Sequence, residues 1–389
     1  MKLPILFLYN HDAAHQVAHS AGILGELALT CGDRPIIAAF GSAEIKEQVE
    51  KLLTQDQVAA VQWVGLSLPS WLNFLLAPLN RFVPARRIMR LYWSKKKLRR
   101  MAMIVSTERT CLTLKRSWRR GTCPRFAYIP HGSGDRNVAM HPALKDFDLF
   151  LLSGQKVVDQ IVGAGITAEE KCRIIGYPKF DILRGRKAEK FFPNDNPTFL
   201  FNPHFDPHMS SWYEQGEAVL DYFYNHPEYN LIFAPHVMLF FKSLHISPEY
   251  KVAKKRPDIA DKFCRAANIR IDTGSEKLFD MSYVLAADAY IGDVSSQVYE
   301  FLHQPRPCFF IDVHSGAPAQ EPAYEFWRNG PVVQTAEQLF PLIPKWQEIG
   351  REYLAEQERL LDYTISIDPR LSAAQRGAAA LLADLHAAS

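Results

Sequence analysis

Short apolar runs rich in Ile, Val, Phe and Leu recur along the chain, each followed by a longer stretch whose apolar residues fall at helical spacing. Strands buried on both faces of a parallel sheet read as such runs, and the segments between them supply the covering helices. In the first half the runs are Pro4–Tyr9, Pro35–Phe40, Val61–Gly65, Met103–Ser106, Phe126–Ile129 and Leu149–Leu152. In the second half they are Thr198–Asn202, Leu231–Ala234, Ile269–Asp272, Ala289–Ile291 and Cys308–Ile311. The pattern predicts two doubly wound α/β sheets, one in each half of the chain.

Between the halves the sequence turns polar and proline-punctuated, from Arg184 to Pro197, which is the composition of a linker. The expected domains are 1–186 and 187–389, with a basic segment over 70–120 in the first. The alanine- and leucine-rich tail from Ser372 to Ala388 is expected to form a helix that could pack on either half. A length of 389 residues suits two domains with a core each. A composition of 48% hydrophobic and 22% charged residues excludes a disordered or fibrous chain. The six cysteines are scattered with no metal-ligand spacing, which reads as a reducing compartment. The apolar N-terminal run leads into His11 and Asp12 and reads as a buried strand, not a signal peptide.

Ligands of open α/β sheets bind beyond the carboxyl ends of the strands, so chemistry is sought there. Asp293-Val-Ser295-Ser296 follows the run at Ala289–Ile291 and leads into a helical stretch reaching Glu300. Hydroxyls and free amides at a helix start suit a pyrophosphate, although an ordinary helix cap explains Asp293 and Ser295 equally well. His131-Gly132-Ser133 follows Phe126–Ile129, where an imidazole could take a proton near neutral pH and a glycine admits a ligand to the backbone. Pro235-His236 ends another run and reads as a phosphate contact. Asn202-Pro203-His204 with Asp206 and His208 reads as loop structure. His11 and His15 recur on one face just after the first run and, with Asp12, are acceptor-side candidates; a packing role fits them as well. Thr273 and Glu300 are candidates for contact with the nucleotide, as is Asp293.

Taken together, His131-Gly132, Ile175-Gly176-Tyr177-Pro178-Lys179-Phe180-Asp181, Pro235-His236 and Asp293-Val-Ser295-Ser296 resemble, in order and spacing, the family of CDP-glycerol glycerophosphotransferases. Those enzymes build teichoic-acid-like polymers. The resemblance implies a GT-B fold, two Rossmann-like domains facing a central cleft, with a nucleotide-activated donor as partner. It implies His131 as the base and His236, Ser295 and Ser296 as contacts to the donor phosphates, with Gly132 and Ser133 beside them. The family often carries a second proline after its Pro-His histidine, where this chain has Val237. No cofactor or metal is expected, the charge of the leaving CMP being met by imidazole, hydroxyl and helix dipole.

Net charge is only +3, yet Arg86, Arg87, Arg90, Lys95, Lys96, Lys97 and Arg99 follow one another without an acidic residue, among Tyr92, Trp93 and other apolar side chains. Such a segment suits an anionic bilayer surface, and a solvated helix face is the plainer alternative. The expectation is a cytoplasmic enzyme, peripheral on the inner face of the plasma membrane, acting on a cell-envelope glycan or lipid-linked acceptor and on no nucleic acid. The alternatives are a GT-B glycosyltransferase using a nucleotide sugar, a non-hydrolysing sugar-nucleotide epimerase and a non-catalytic glycan-binding module at the membrane.

Overall fold

The computed structural model describes the chain except for residues 1, 12–13, 82–83, 119–122, 131–140, 184, 295–296, 315–321 and 388–389, and gives 14–15, 81 and 322–323 as backbone only. It divides into two compact units. The described residues before Gly185, together with Asp362–Ser389, form the first, and Gly185–Leu361 form the second. The segment 187–389 is therefore not one domain, because its last part belongs with the first unit.

The first unit carries a seven-stranded sheet made of β1 (Ile5–Tyr9), β2 (Ile36–Phe40), β3 (Gln62–Gly65), β4 (Met103–Ser106), β5 (Arg125–Tyr128), β6 (Leu149–Leu152) and β7 (Cys172–Ile174). All neighbours are parallel in the order β3-β2-β1-β4-β5-β6-β7, so the winding reverses between β1 and β4. Alternate residues of β1 serve opposite faces. Ile5, Phe7 and Tyr9 pack with helix Ala21–Thr30 and the C-terminal helix Ala373–Ala387, while Leu6 and Leu8 meet Leu91 and Leu98 of helix Ala85–Leu98. Burying Leu91 and Leu98 completely is worth roughly 2 kcal/mol each and fixes which side of that helix faces the sheet.

The second unit carries β8 (Thr198–Asn202), β9 (Asn230–Phe233), β12 (Ile269–Ile271), β13 (Ala289–Gly292), β14 (Cys308–Ile311) and β15 (Val332–Val333) in the parallel order β12-β9-β8-β13-β14-β15. Its winding reverses between β8 and β13. A separate antiparallel hairpin joins β10 (Leu244–Ser247) and β11 (Val252–Lys255). The core is aromatic, with Phe199, Phe201, Phe223, Phe233 and Trp212 all buried. Strands β7 and β15, three and two residues long and partly exposed, carry too little apolar pattern to be read from the sequence.

Candidate functional site

The site grows from the point where the second sheet reverses. Just beyond β13, Asp293 is 1% exposed, and its carboxylate accepts the backbone N–H of His204 at 3.0 Å, of Ser211 at 2.8 Å and of Val294 at 2.7 Å, with the Ser211 hydroxyl at 2.9 Å. Four donors on one carboxylate lock the loop after β8 to the turn after β13. Burial still pushes the Asp293 carboxyl up to about 6, against the pull of those hydrogen bonds. The Trp327 indole donates to the Asp293 carbonyl and seals the turn from behind. Asp293 was expected to touch the nucleotide, but it is turned inward and spends its oxygens on the protein.

Asp293 holds the backbone of His204, one of two imidazoles that come together here. His204, 4% exposed, accepts the Asp206 N–H at Nδ1, which leaves Nε2 to carry the ring proton as a donor. His236, at the end of β9, accepts the Met238 N–H at Nδ1 and has the same consequence at Nε2. The two rings lie 5.3 Å apart, both against Phe205, and the His236 N–H donates to the Pro203 carbonyl, which ties the two strand ends together. Imidazoles whose ring proton sits on Nε2, gathered at the carboxyl ends of two adjacent strands, have the chemistry to donate to a phosphate. His204 was read from sequence as loop structure. The signal that marks it is repetition, since Pro203-His204 and Pro235-His236 close two adjacent strands.

Beside these strand ends a pocket is lined by Asn202, Ala234, Lys277, Tyr290, Gln297 and Glu300. Asn202 is fixed there by donating to the Ala234 carbonyl and accepting the Tyr290 hydroxyl. Glu300 is buried and reaches this pocket, whereas Thr273 is not among its lining residues. The helix after the turn, Gln297–Phe301, is five residues long, so it contributes little macrodipole and the charge of an anion would fall on the imidazoles.

No family model matches the sequence, and no curated protein matches it either. Solved structures do. The wall teichoic acid polymerase TagF superposes with a TM-score of 0.63 at 14% identity over 99% of this chain and 90% of that one. A TagF variant soaked with CDPG gives 0.62 at 15% identity over 99% and 89%. The UDP-GlcNAc 2-epimerase of Neisseria meningitidis bound to UDP-GlcNAc gives 0.57 at 11% identity over the whole of both chains. The fold is GT-B. The motif-borne resemblance to the glycerophosphotransferases is thus matched in three dimensions by structures of a teichoic acid polymerase.

Within the GT-B fold the signature residues separate into different roles. His131, Gly132 and Ser133 lie outside the described residues, as do Ser295, Ser296 and Asp12, and the side chain of His15 is likewise not described. His11 is 1% exposed at the end of β1, edge-on to Tyr9. The motif Ile175 to Asp181 holds the chain's last helix. The Asp181 carboxylate accepts the N–H groups of Ala373 and Ala374 in its first turn, and Gly176, at φ 86°, lies where a Cβ would sit 2.6 Å from the Ser366 carbonyl.

The basic segment is not one exposed stripe. Arg87 forms an ion pair with Glu108, its Nε donates to the Asn10 carbonyl, and Asn10 Nδ2 donates back to the Arg87 carbonyl. Arg86 donates to the Asn73 carbonyl, Lys95 to that of Ser117, and Arg90 sits half-buried over Gly41. Only Lys96, Lys97 and Arg99 of the seven expected surface cations are exposed. Exposed apolar side chains accompany them, with Phe74 at 80%, Trp71 at 61% and Trp93 at 56%. Among the described residues no helix is long and apolar enough to cross a membrane.

Proposed function

We propose that the protein is a GT-B transferase that moves a glycerophosphate or related group from a CDP-activated donor to a hydroxyl of a cell-envelope glycan or lipid-linked acceptor. The observation that carries this reading is the juxtaposition of the His204 and His236 rings, 5.3 Å apart, at the reversal of the second sheet, His204 held through its backbone by Asp293 and His236 tied to Pro203. They would hold the donor phosphates, with Ser295 and Ser296 adding hydroxyls. His131 takes the proton of the acceptor hydroxyl. The freed oxygen attacks the phosphorus that bears the glycerol, the bond from that phosphorus to the CMP oxygen breaks, and CMP leaves with its charge met by the imidazoles. No metal is needed in this scheme, so turnover is expected to persist in excess EDTA. Lys96, Lys97, Arg99 and the exposed aromatic residues beside them would rest on an anionic membrane surface.

Calorimetric titration tests the donor. CDP-glycerol is expected to bind, and His236→Ala to weaken it about tenfold while the protein stays folded. His131→Ala is expected to abolish turnover and leave donor affinity nearly intact. The likeness to a structure holding UDP-GlcNAc, complete over both chains, favours a nucleotide-sugar enzyme as the second reading. Binding of UDP sugars with no response to CDP-glycerol or CMP would select it and remove the first.

A further inference from the structure

The hairpin of the second unit is patterned the wrong way round for a ribbon that packs by its apolar side. In β10 the polar His245 and Ser247 are buried, while Leu244 and Ile246 are exposed. Hydrogen bonds hold the inward pair. His245 Nε2 donates to the carbonyls of Leu239 and Lys242, and the Ser247 hydroxyl donates at 2.7 Å to Asp206 in the loop after β8. Opposite His245 on β11, Lys254 forms an ion pair with Glu214, and in the turn Tyr250 stacks on His208. A slip of one residue would turn Leu244 and Ile246 inward and lose the bonds of His245 and Ser247. Polar groups therefore set the register, and the aliphatic side chains are left outside.

That outer face joins apolar side chains to lysines. The pairing sets Leu244 opposite Lys255 and Ile246, 64% exposed, opposite Ala253, and the chain enters β10 through Phe241, which is 72% exposed. Lys242, Lys251 and Lys255 are exposed and have no ion pair among the described residues, and Glu249 is the single acidic residue from Phe241 to Lys255. We propose that this face is a membrane-contact surface of the second unit, whose partner is an anionic lipid bilayer. Phe241, Leu244 and Ile246 enter the acyl boundary, and the three lysines meet the headgroups. A second copy of the chain would set lysine against lysine with only Glu249 to offset them. A nucleic acid would find no ring on Leu244 or Ile246 to stack against. Anionic lipid supplies both the opposite charge and the apolar contact. Because Ser247 bonds Asp206, the surface is fastened to the loop that carries His204. The inference rests on the hairpin alone, not on the transferase reading or on the basic helix of the first unit.

Hydrogen exchange of the full-length protein with and without phosphatidylglycerol vesicles tests the surface where it lies. Residues 241–255 are expected to exchange several-fold more slowly with those vesicles and at an unaltered rate with phosphatidylcholine vesicles. Phe241→Ser and Ile246→Ser are each expected to lower partitioning onto phosphatidylglycerol vesicles about tenfold, with thermal midpoints unchanged. Lys255→Gln should lower it about fivefold at low salt. The proposal is overturned if exchange over 241–255 is the same with and without vesicles, or if both serine variants partition as wild type does. It is overturned too if those variants turn a dimer into a monomer in sedimentation velocity while vesicle partitioning stays the same, which would assign the face to a second copy. Reduced partitioning of Lys96→Gln with no protection over 241–255 would leave the membrane to the first unit and remove this surface. Failure of CDP-glycerol to bind the wild-type protein would remove the transferase reading and leave these outcomes as they stand.

Discussion

The two sheets reverse their winding in the same manner and finish their carboxyl edges with different chemistry. At the edge of the second, one buried carboxylate gathers three backbone amides and a hydroxyl, among them the amide of His204, whose ring lies 5.3 Å from that of His236. At the edge of the first, a half-buried Arg87–Glu108 pair pins a helix that presents further guanidinium groups. An imidazole can gain or lose its proton near neutrality, while a guanidinium keeps its charge at any pH a folded protein meets. The first edge therefore carries a fixed positive charge, whereas the second offers imidazoles whose Nδ1 atoms accept backbone N–H groups.

The comparison breaks most visibly at Asp293. Asp293→Ala leaves three amides and the Ser211 hydroxyl without their acceptor, for an expected loss of about 3 kcal/mol or more in urea unfolding. Hydrogen exchange should quicken in residues 204–211 and stay unchanged in residues 5–11. The carboxyl adds a pH dependence whose sign follows from its shift. Its value in the folded chain, about 6, lies above the ordinary carboxyl range, so the folded state binds the extra proton in the interval between. The associated stability is complete below pH 4 and is lost as pH rises through about 6. Thermal midpoints of wild type and Asp293→Asn should accordingly shift in favour of the variant over that interval. A flat difference would mean that the four hydrogen bonds keep the group ionised throughout.

The first edge should be less costly to disturb. Glu108→Gln leaves Arg87 its bond to the Asn10 carbonyl but removes the opposing charge, with an expected loss of about 2 kcal/mol for this partly buried pair. The same variant is expected to quicken exchange at Asn10 and His11 and to leave residues 204–211 untouched, the mirror of the Asp293 result. Donor affinity should not change.

How much of this the sequence disclosed differs between the edges for a physical reason. Apolar runs announced the long strands of both sheets, because burial on two faces demands them. Pro-His and Asp-Val-Ser-Ser announced where the second edge lies, but not that Asp293 faces inward, since a capping carboxylate and a ligand-binding one have the same composition. The basic segment misled because charge was counted without its angle on the helix. Arg87 stands four residues before Leu91 and eleven before Leu98, on the stripe that meets the sheet, and that spacing was there to be read. The motif Ile175 to Asp181, one of the four that carry the family resemblance, caps a helix far along the chain. Asp181→Ala tests that role directly, with an expected cost of about 1.5 kcal/mol and exchange quickened in Ala373–Ala387.

The smallest effect separates the inner from the outer cations of a single helix. Lys96 and Lys97 are exposed while Arg87 is held by Glu108 and Asn10, so only the former are available to a bilayer. Lys96→Gln is expected to leave unfolding within about 0.5 kcal/mol of wild type. It should lower partitioning onto phosphatidylglycerol vesicles at low salt by about 1 kcal/mol, roughly fivefold, with no effect on neutral vesicles. Arg87→Gln should behave the opposite way, weakening the fold through loss of its clamp and leaving vesicle partitioning of the folded protein unchanged. Equal vesicle binding by wild type and Lys96→Gln, or an equal loss in both variants, would mean that the helix does not divide its charge as its burial pattern implies, and the contrast between a structural inner face and a membrane-facing outer one would fall.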